Sequence, residues 1–496
     1  MGKRSRSRRR TTTKVQHTRA LSAPTPATQQ AYEAAGVGRR LGKWDAPDLS
    51  PREAATLELQ ILRRRTRAGV RNNPWIARSN NVAVSNEIGT GITPRPAGPD
   101  KDFNGALLEL WHDYVDHCDS DGLLSVYAMQ AAAVSTRRVS GEAFIIIRRN
   151  RAARNSPVPL QFQLVEADLC PVDLTIIKST GNSIITGVEI TPGGRVVAYW
   201  FYKSHPADGF GANLANLVRI KSTDVIHHFI PTRHGALRGV PAGVQSIVRA
   251  YTFDKYEDAE LVRKESRASF TGVIRRPDYG AVDYKFDPIS GVPITTDGDG
   301  VPMIEMETGT FPSLLPGEDV SLFDGDDAGR GYADFQRWQM YGVCAGEGTP
   351  YQLVTGDYTG INDRLWRAIM NQYHREIEQT QDLYIIPQVC RRMWIEFVDR
   401  AVMSGAVDAP NDFAQARTKY IRAKHRAPAF KHIHPTQDVQ ATVLEIDNKL
   451  ISRQKAIDER RGEVAEEVDE QRAEDAKRES ALGLDQLLPS DQNKGK

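Results

Sequence analysis

This chain of 496 residues is poor in several things that usually announce a function. It has four cysteines, Cys118, Cys170, Cys344 and Cys390, far apart and without a C-x-x-C pair. That spacing excludes a disulfide framework and a zinc ribbon, and a reducing compartment is the simplest one for it. No apolar run approaches the roughly 18 residues needed to span a bilayer. The first ten residues, Met1 to Arg10, hold no apolar segment, so they do not read as a secretory signal. Net charge is also scarce, at +2.

Catalytic signatures are missing too. The nearest approach to a phosphate loop, Gly36 to Trp44, has Lys43 but the wrong glycine spacing. Trp44 stands where a Mg²⁺-holding Ser or Thr belongs, so no ATPase is expected. Asp119-Ser-Asp-Gly122 and Asp324-Gly-Asp-Asp327 hint at calcium loops. Ala128 and Phe335 fall where the bidentate Glu is required, and both segments read as solvated turns. His112 with Asp116, and Asp113 with His117, are helical neighbours, but no third ligand follows. A metal-dependent hydrolase using His112 and His117 is therefore a minor alternative. His227-His228, at the end of a strand-like run, should turn one ring inward. There is no G-x-S-x-G elbow. No catalytic residue, metal or cofactor is expected.

Several packed regions are expected from this length. Residues 1–50 are rich in Arg, Ser, Thr, Ala and Pro without apolar periodicity and read as disordered. Residues 1–20 carry eight Lys or Arg and no acid, whereas Glu463 to Glu479 is mainly acidic. Arg4, Arg6, Arg8, Arg9 and Arg10 could contact phosphate by releasing counterions.

A helix is expected after Ser50-Pro-Arg-Glu53, ending near Gly69, and a second from Asn73-Pro74 to Gly89. Residues 94–99 form a stiff Pro-rich connector, and 102–138 hold two helices. Strand-like runs lie at 143–147, 160–165, 187–190, 195–202 and 225–230, with a hairpin turn at Thr191-Pro-Gly-Gly194. The clearest helix spans 242–270, with Val244, Ile247, Val248, Tyr251, Ala259 and Val262 largely on one face. A turn-rich insert follows, then a helix from Tyr332 to Val343, a Gly-rich loop at 345–361, and a helix from Asp363 to Thr380. The rest is mainly helical. The stripe Tyr332, Phe335, Trp338 and Tyr341 reads as packing rather than as a platform for bases.

A series of short signatures runs through this frame. In order they are Arg71-Asn-Asn-Pro74, Asn86-Glu-Ile-Gly-Thr-Gly-Ile92, Gly141-Glu-Ala-Phe144, Gly187-Val-Glu189 and Gly194-Arg-Val-Val-Ala-Tyr-Trp200. Val225-Ile-His227, Arg238-Gly-Val-Pro241, Leu315-Pro-Gly-Glu318 and Thr355-Gly-Asp-Tyr358 complete it. Their order and spacing resemble the portal proteins of lambda-type tailed phages over roughly residues 50–480.

The resemblance implies an α+β, portal-type fold. After the basic tail at 1–50 it implies a wing region at 51–241, a first stem helix at 242–272, a clip at 273–330 and a second stem helix at 331–344. A tunnel loop at 345–361, a long wing helix at 362–386 and a helical crown and tail at 387–496 would follow. It implies a twelve-fold ring at one capsid vertex through which double-stranded DNA is packaged and ejected. Expected partners are other copies of the chain, the terminase large subunit, the major capsid protein and a head-completion or adaptor protein, with no membrane. Such a protein resides in the virion, and in the host cytoplasm during assembly. Glu347, Gly348, Thr349, Tyr351 and Gln352 would lie in the tunnel loop, with Glu347, Thr349 and Gln352 facing DNA. The alternative is a nucleic-acid-binding scaffold that works through the Arg-rich tail.

Overall fold

The computed structural model describes residues 47–149, 155–208, 216–269, 273–275, 319–321, 331–430, 435–461 and 465–483. The chain divides into Met1–Ser50 and Pro51–Lys496, and the described helices and strands all belong to the second unit. The expected phosphate-loop remnant at 36–44, Arg4 to Arg10, Asp324 to Asp327 and most of the 273–330 insert lie outside the described residues.

Two helices open the unit, α1 (Pro51–Asn72) and α2 (Pro74–Glu87). Asn73 separates them and caps α2, its side chain accepting from Trp75 N and Ile76 N. α1 runs past the expected stop at Gly69, whose carbonyl accepts from Asn73 N. A Cβ at Gly69 would meet Ile247 Cδ1 at 2.6 Å, so the glycine admits a neighbouring helix rather than ending its own.

The Pro-rich connector is not merely a turn. Strand β1 (Thr93–Pro96) pairs antiparallel with a segment more than 300 residues later, Ala423–Arg426. Helices α3 (Lys101–Tyr114) and α4 (Val126–Ser140) follow. The turn between them is not solvated as expected. Asp119 is buried, and its carboxylate accepts from the N–H groups of Asp121, Leu123 and Leu124.

β2 (Glu142–Arg149) is the centre of the fold. It lies between β3 (Leu160–Val165) and a later strand, Val225–Phe229, antiparallel to both. Side chains alternate across a strand. Ile145 and Ile147 therefore enter one core with Trp111, Trp394 and Phe397, while Phe144 and Ile146 enter another with Val188, Tyr199 and Phe201. Burial on both faces explains why Ala143 to Ile147 is a continuous apolar run. A second sheet runs in order β4 (Ser183–Ile185), β5 (Val188–Ile190), β6 (Val196–Tyr202) and β7 (Leu217–Lys221), all antiparallel. Thr191-Pro-Gly-Gly194 makes the β5–β6 turn, with Gly194 N donating to Thr191 O at 2.9 Å. The strand Val225–Phe229 is β8.

α5 (Ile247–Ser269) begins later than expected, because residues 242–246 form a turn. Short strands β9 (Val273–Arg275) and β10 (Asp319–Ser321) pair at the base of the insert. α6 (Tyr332–Glu347) packs on α5 and extends through the start of the expected loop. The short α7 (Tyr351–Thr355) occupies the middle of that loop. α8 (Asp363–Thr380) continues without a break through a π-helical stretch, Gln381–Cys390, into α9 (Arg391–Ser404). Pro387 lies inside the π stretch. It has no N–H to give the regular ladder, which fits a widened turn. α10 (Phe413–Tyr420) leads to β11 (Ala423–Arg426), and α11 (Pro435–Asp447), α12 (Arg453–Arg461) and α13 (Ala465–Ala481) end the described chain.

Candidate functional site

The signatures of the sequence converge on buried ionic joints. Glu142, fully buried, accepts from Arg238 Nε at 2.8 Å, from Arg238 Nη2, from Arg63 Nη2 and from Gly239 N at 3.1 Å. His227 Nε2 lies 3.0 Å from Glu142 Oε2, the oxygen that also accepts from Gly239 N. Arg238 also donates to the carbonyls of Thr186, Ala167 and Cys170. Three signatures thus meet, those at 141–144, 225–227 and 238–241. Burial pushes Glu142 up, but Arg238 and Arg63, aided by His227, outweigh it and hold the carboxyl well below the usual range.

Two glycines permit this approach. Gly141 has φ +91°, and a Cβ there would sit 2.4 Å from Gly239 O. One on Gly239 would sit 2.0 Å from Gly141 O. The two backbones touch where neither residue can carry a side chain.

Other signatures make similar joints. Glu87 receives Arg137 Nη2 and, at 3.4 Å, Arg138 Nη1. Gln130 brackets Ile92, donating to its carbonyl and accepting from its N–H. Glu189 receives Arg219 Nε at 2.7 Å and Trp200 Nε1 at 3.3 Å, which ties two further signatures together. Both His227 and His228 are turned inward, more than the single ring expected. His228 Nδ1 is 2.8 Å from Gln388 Oε1, and burial, with Arg137 adding, lowers it to about 3.

The segment expected to face DNA behaves differently from its sequence reading. Glu347 is buried. Its Oε1 accepts from Ser246 Oγ at 2.6 Å, its carbonyl accepts from Arg138 Nη2 at 2.9 Å, and burial pushes its carboxyl up. Gly243 makes room for it, since a Cβ there would lie 1.9 Å from Glu347 Oε1. Thr349 is buried with its Oγ1 2.6 Å from Ser79 Oγ, and Gln352 is buried as well. Tyr351 is half-buried and donates to Asp357 Oδ2 at 3.0 Å. Gly348 alone of the five is exposed, closing α6 at φ +69°. The expectation that Glu347, Thr349 and Gln352 point outward is therefore corrected: each has a polar or packing partner inside the fold. Beyond Ala345 and Gly348, the exposed part of the segment is Gly356 and Tyr358 to Gly360, its tip.

The aromatic stripe of α6 packs in part, Phe335 against Tyr256 and Tyr341 against Tyr351. Met340, Val343 and Cys344 form the buried side, while Trp338 is 70% exposed and Phe335 42%.

Among the described residues, one group of three could offer ligands to a metal: Glu166, Asp168 and His205. Arg67 bridges both of its carboxylates and Arg63 adds a second cation beside Asp168, so the charge is already matched. His112 and His117 are not part of it. Burial pushes the Cys170 thiol up to about 11 and the Cys118, Cys344 and Cys390 thiols up to about 12, which suits packing rather than nucleophilic chemistry.

Arg63 was not legible as a functional residue, since it stands in the basic run Arg63-Arg-Arg65. Its only signal is helical spacing: Leu59, Arg63 and Thr66 share the buried stripe of α1.

The profile of the family described as "Phage portal protein, lambda family" matches residues 37–381. The chain is 24% identical over 444 residues to a probable portal protein of Halomonas phage phiHAP-1, covering 86% of this chain and 82% of that protein. It is 20% identical over 497 residues to portal protein B of Escherichia phage lambda, covering 90% and 89%. A solved structure of the neck of a native gene transfer agent particle aligns over 83% of this chain and 94% of that one, with 13% identity and a TM-score of 0.44.

Proposed function

The chain belongs to the lambda family of phage portal proteins, and on that premise we propose that its copies close into a ring, of twelve subunits, through which double-stranded DNA enters and leaves the capsid. In this reading residues 51–241 form the wing, 242–272 and 331–344 the stem, 273–330 the clip, 345–361 the channel segment, 362–386 the long wing helix and 387–496 the crown and tail. The clip meets the terminase large subunit and then a head-completion protein, and the wing meets the major capsid protein. The protein works in the virion after assembly in the host cytoplasm, and acts as a conduit rather than as an enzyme.

The observation that carries the ring is the α5–α6 pair. Phe253 joins the cluster that holds Met340 of α6, and Tyr256 lies against Phe335 with ring centroids 5.0 Å apart. Val248, Tyr251 and Val262 lie about half a turn away from that contact, and they are 62, 60 and 59% exposed. Trp338 is exposed on α6. Apolar residues on both helices, outside their mutual contact, suit head-to-tail association, which closes into a ring when the rotation closes.

Within the channel segment the tip is the part that meets DNA. Tyr358, Thr359 and the flanking Gly356 and Gly360 take the role that the family resemblance implied for Glu347, Thr349 and Gln352. Arg4, Arg6, Arg8, Arg9 and Arg10 add a salt-sensitive attraction for DNA.

Native mass spectrometry and negative-stain imaging test the ring. A Tyr251→Cys, Trp338→Cys double variant, treated with a thiol cross-linker, is expected to give a ladder of covalent oligomers. Each single variant should stay monomeric on a denaturing gel. Dimers from Tyr251→Cys alone mean a two-fold contact instead, and a monomer at every concentration and ionic strength overturns the reading.

A further inference from the structure

A groove of about 580 Å³ lies between α3 and the connection from α9 to α10. Its floor is apolar, with Phe103, Leu110 and Val407. Five carboxylates line it, Asp100, Asp102, Glu109, Asp113 and Asp408, and among the described residues no Lys or Arg does. Asp100 is occupied as the cap of α3, accepting from Phe103 N. Asp102, Glu109 and Asp113 are exposed and form one stripe of α3, being seven and four residues apart. Asp408 faces the groove from the other wall.

Two features decide what this groove takes. At 1.5 Å per residue, the stripe places its carboxylates about 10 and 6 Å apart along the axis. They are too dispersed to share one ion, and the one ligand-type group among the described residues lies elsewhere. A concentration of negative charge also repels nucleic acid. Cations spread over two helical turns, carried on apolar stems, fit both the rim and the floor.

We propose that this groove docks a cationic amphipathic helix of a partner protein. Lys or Arg side chains spaced by one and two turns reach Asp102, Glu109 and Asp113. Their aliphatic stems and one apolar residue cover Phe103, Leu110 and Val407. None of the lining residues belongs to α5 or α6, so peptide binding and ring closure are tested by different variants.

The probe is a fluorescein-labelled helical 18-residue peptide of Lys and Leu in amphipathic order, read by anisotropy against the assembled protein. Three variants isolate the causes. Asp102→Asn/Glu109→Gln/Asp113→Asn removes the rim charge, Ala106→Trp fills the groove from an exposed position, and Glu53→Gln/Glu58→Gln removes exposed acids elsewhere. Binding to the unaltered protein should weaken as salt rises. It should fall at least tenfold in the first two variants and stay unchanged in the third, all with the circular dichroism and melting of the parent. Equal binding to parent and rim variant overturns the proposal. So does loss with the rim variant but full binding to Ala106→Trp, which means diffuse charge attraction without a seat. Binding of DNA at the same groove, blocked by Ala106→Trp, also overturns it.

Discussion

Arg238 grips Glu142 from two nitrogens across 96 residues of chain, and neither side chain meets solvent. The pair welds the strand that starts the central sheet to the segment that leads into α5. A buried pair of this kind is expensive to break from one side, because the survivor remains as an uncompensated charge.

Arg238→Ala should therefore destabilise the folded chain by about 3–5 kcal/mol. Arg238→Lys should recover only part of this, since an ammonium lacks the fork that meets Glu142 and three carbonyls together. Urea denaturation followed by tryptophan fluorescence measures both. A change in the alanine variant smaller than about 1 kcal/mol is incompatible with a welded joint.

Acid should weaken the fold in a definite window. His228 is lowered to about 3 in the folded chain, so as pH falls below about 6.5 the unfolded chain binds a proton that the folded one refuses. Stability then drops from about pH 6.5 towards 3, with a slope of up to about 1.4 kcal/mol per pH unit. The depressed carboxyl of Glu142 adds loss in the same direction, from the ordinary Glu value near 4.5 downward. His228→Gln should flatten the slope between pH 6.5 and 5. An unchanged slope assigns the acid sensitivity to other groups.

Glu347 has the opposite sign. Its carboxyl is raised by burial, so its contribution worsens as pH climbs through that raised value. Glu347→Gln keeps an acceptor for Ser246 and cannot ionise in its buried place, and should leave melting at pH 7 unchanged or higher. Glu347→Ala leaves Ser246 without that partner and should lower stability by about 1–3 kcal/mol. A packaging defect in a fully folded Glu347→Gln protein would return this carboxylate to the channel.

Replacing Gly356 to Gly360 by a Gly-Ser link should leave rings intact, because these residues are mostly exposed. DNA packaging or retention should be blocked. Normal yield of full-length packaged DNA removes the tip from the channel.

Deleting residues 1–20 should also leave ring formation intact while weakening DNA association in a salt-dependent way, since eight cations are lost. Failure to assemble would make the tail structural.

Much of the fold was legible because local chemistry agreed with the final structure. Asn73-Pro74 begins a helix wherever a side-chain cap and a proline coincide, and α8 occupies Asp363–Thr380 as expected from its periodicity. The alternation in β2 was hidden because both faces are buried. β1 was hidden because its partner lies at the other end of the chain and its own residues are half proline. The candidate site was less legible. Glu347, Thr349 and Gln352 are polar residues in a Gly-rich stretch, a pattern shared by exposed loops and by short segments sealed with polar partners. Only the positions of Ser246, Ser79 and Arg138 distinguish the two, and these lie 101 to 270 residues away. The same distance problem hid Arg63.

The helix from Asp363 to Ser404 is a stiff lever. At 1.5 Å per residue it extends roughly 60 Å. One end adjoins the exposed tip at Tyr358, through the ring contact of Tyr358 with Trp366. Its middle is bolted to β8 by Gln388, which accepts from Phe229 N and donates to Phe229 O. Its far end sits in the aromatic core through Trp394 and Phe397. Bending of the rod would concentrate at the π-helical stretch, where its regular ladder is interrupted. Gln388 lies roughly 33 Å along the rod from Trp366, so a small bend at the π-helical stretch moves the exposed tip much further than it moves the sheet.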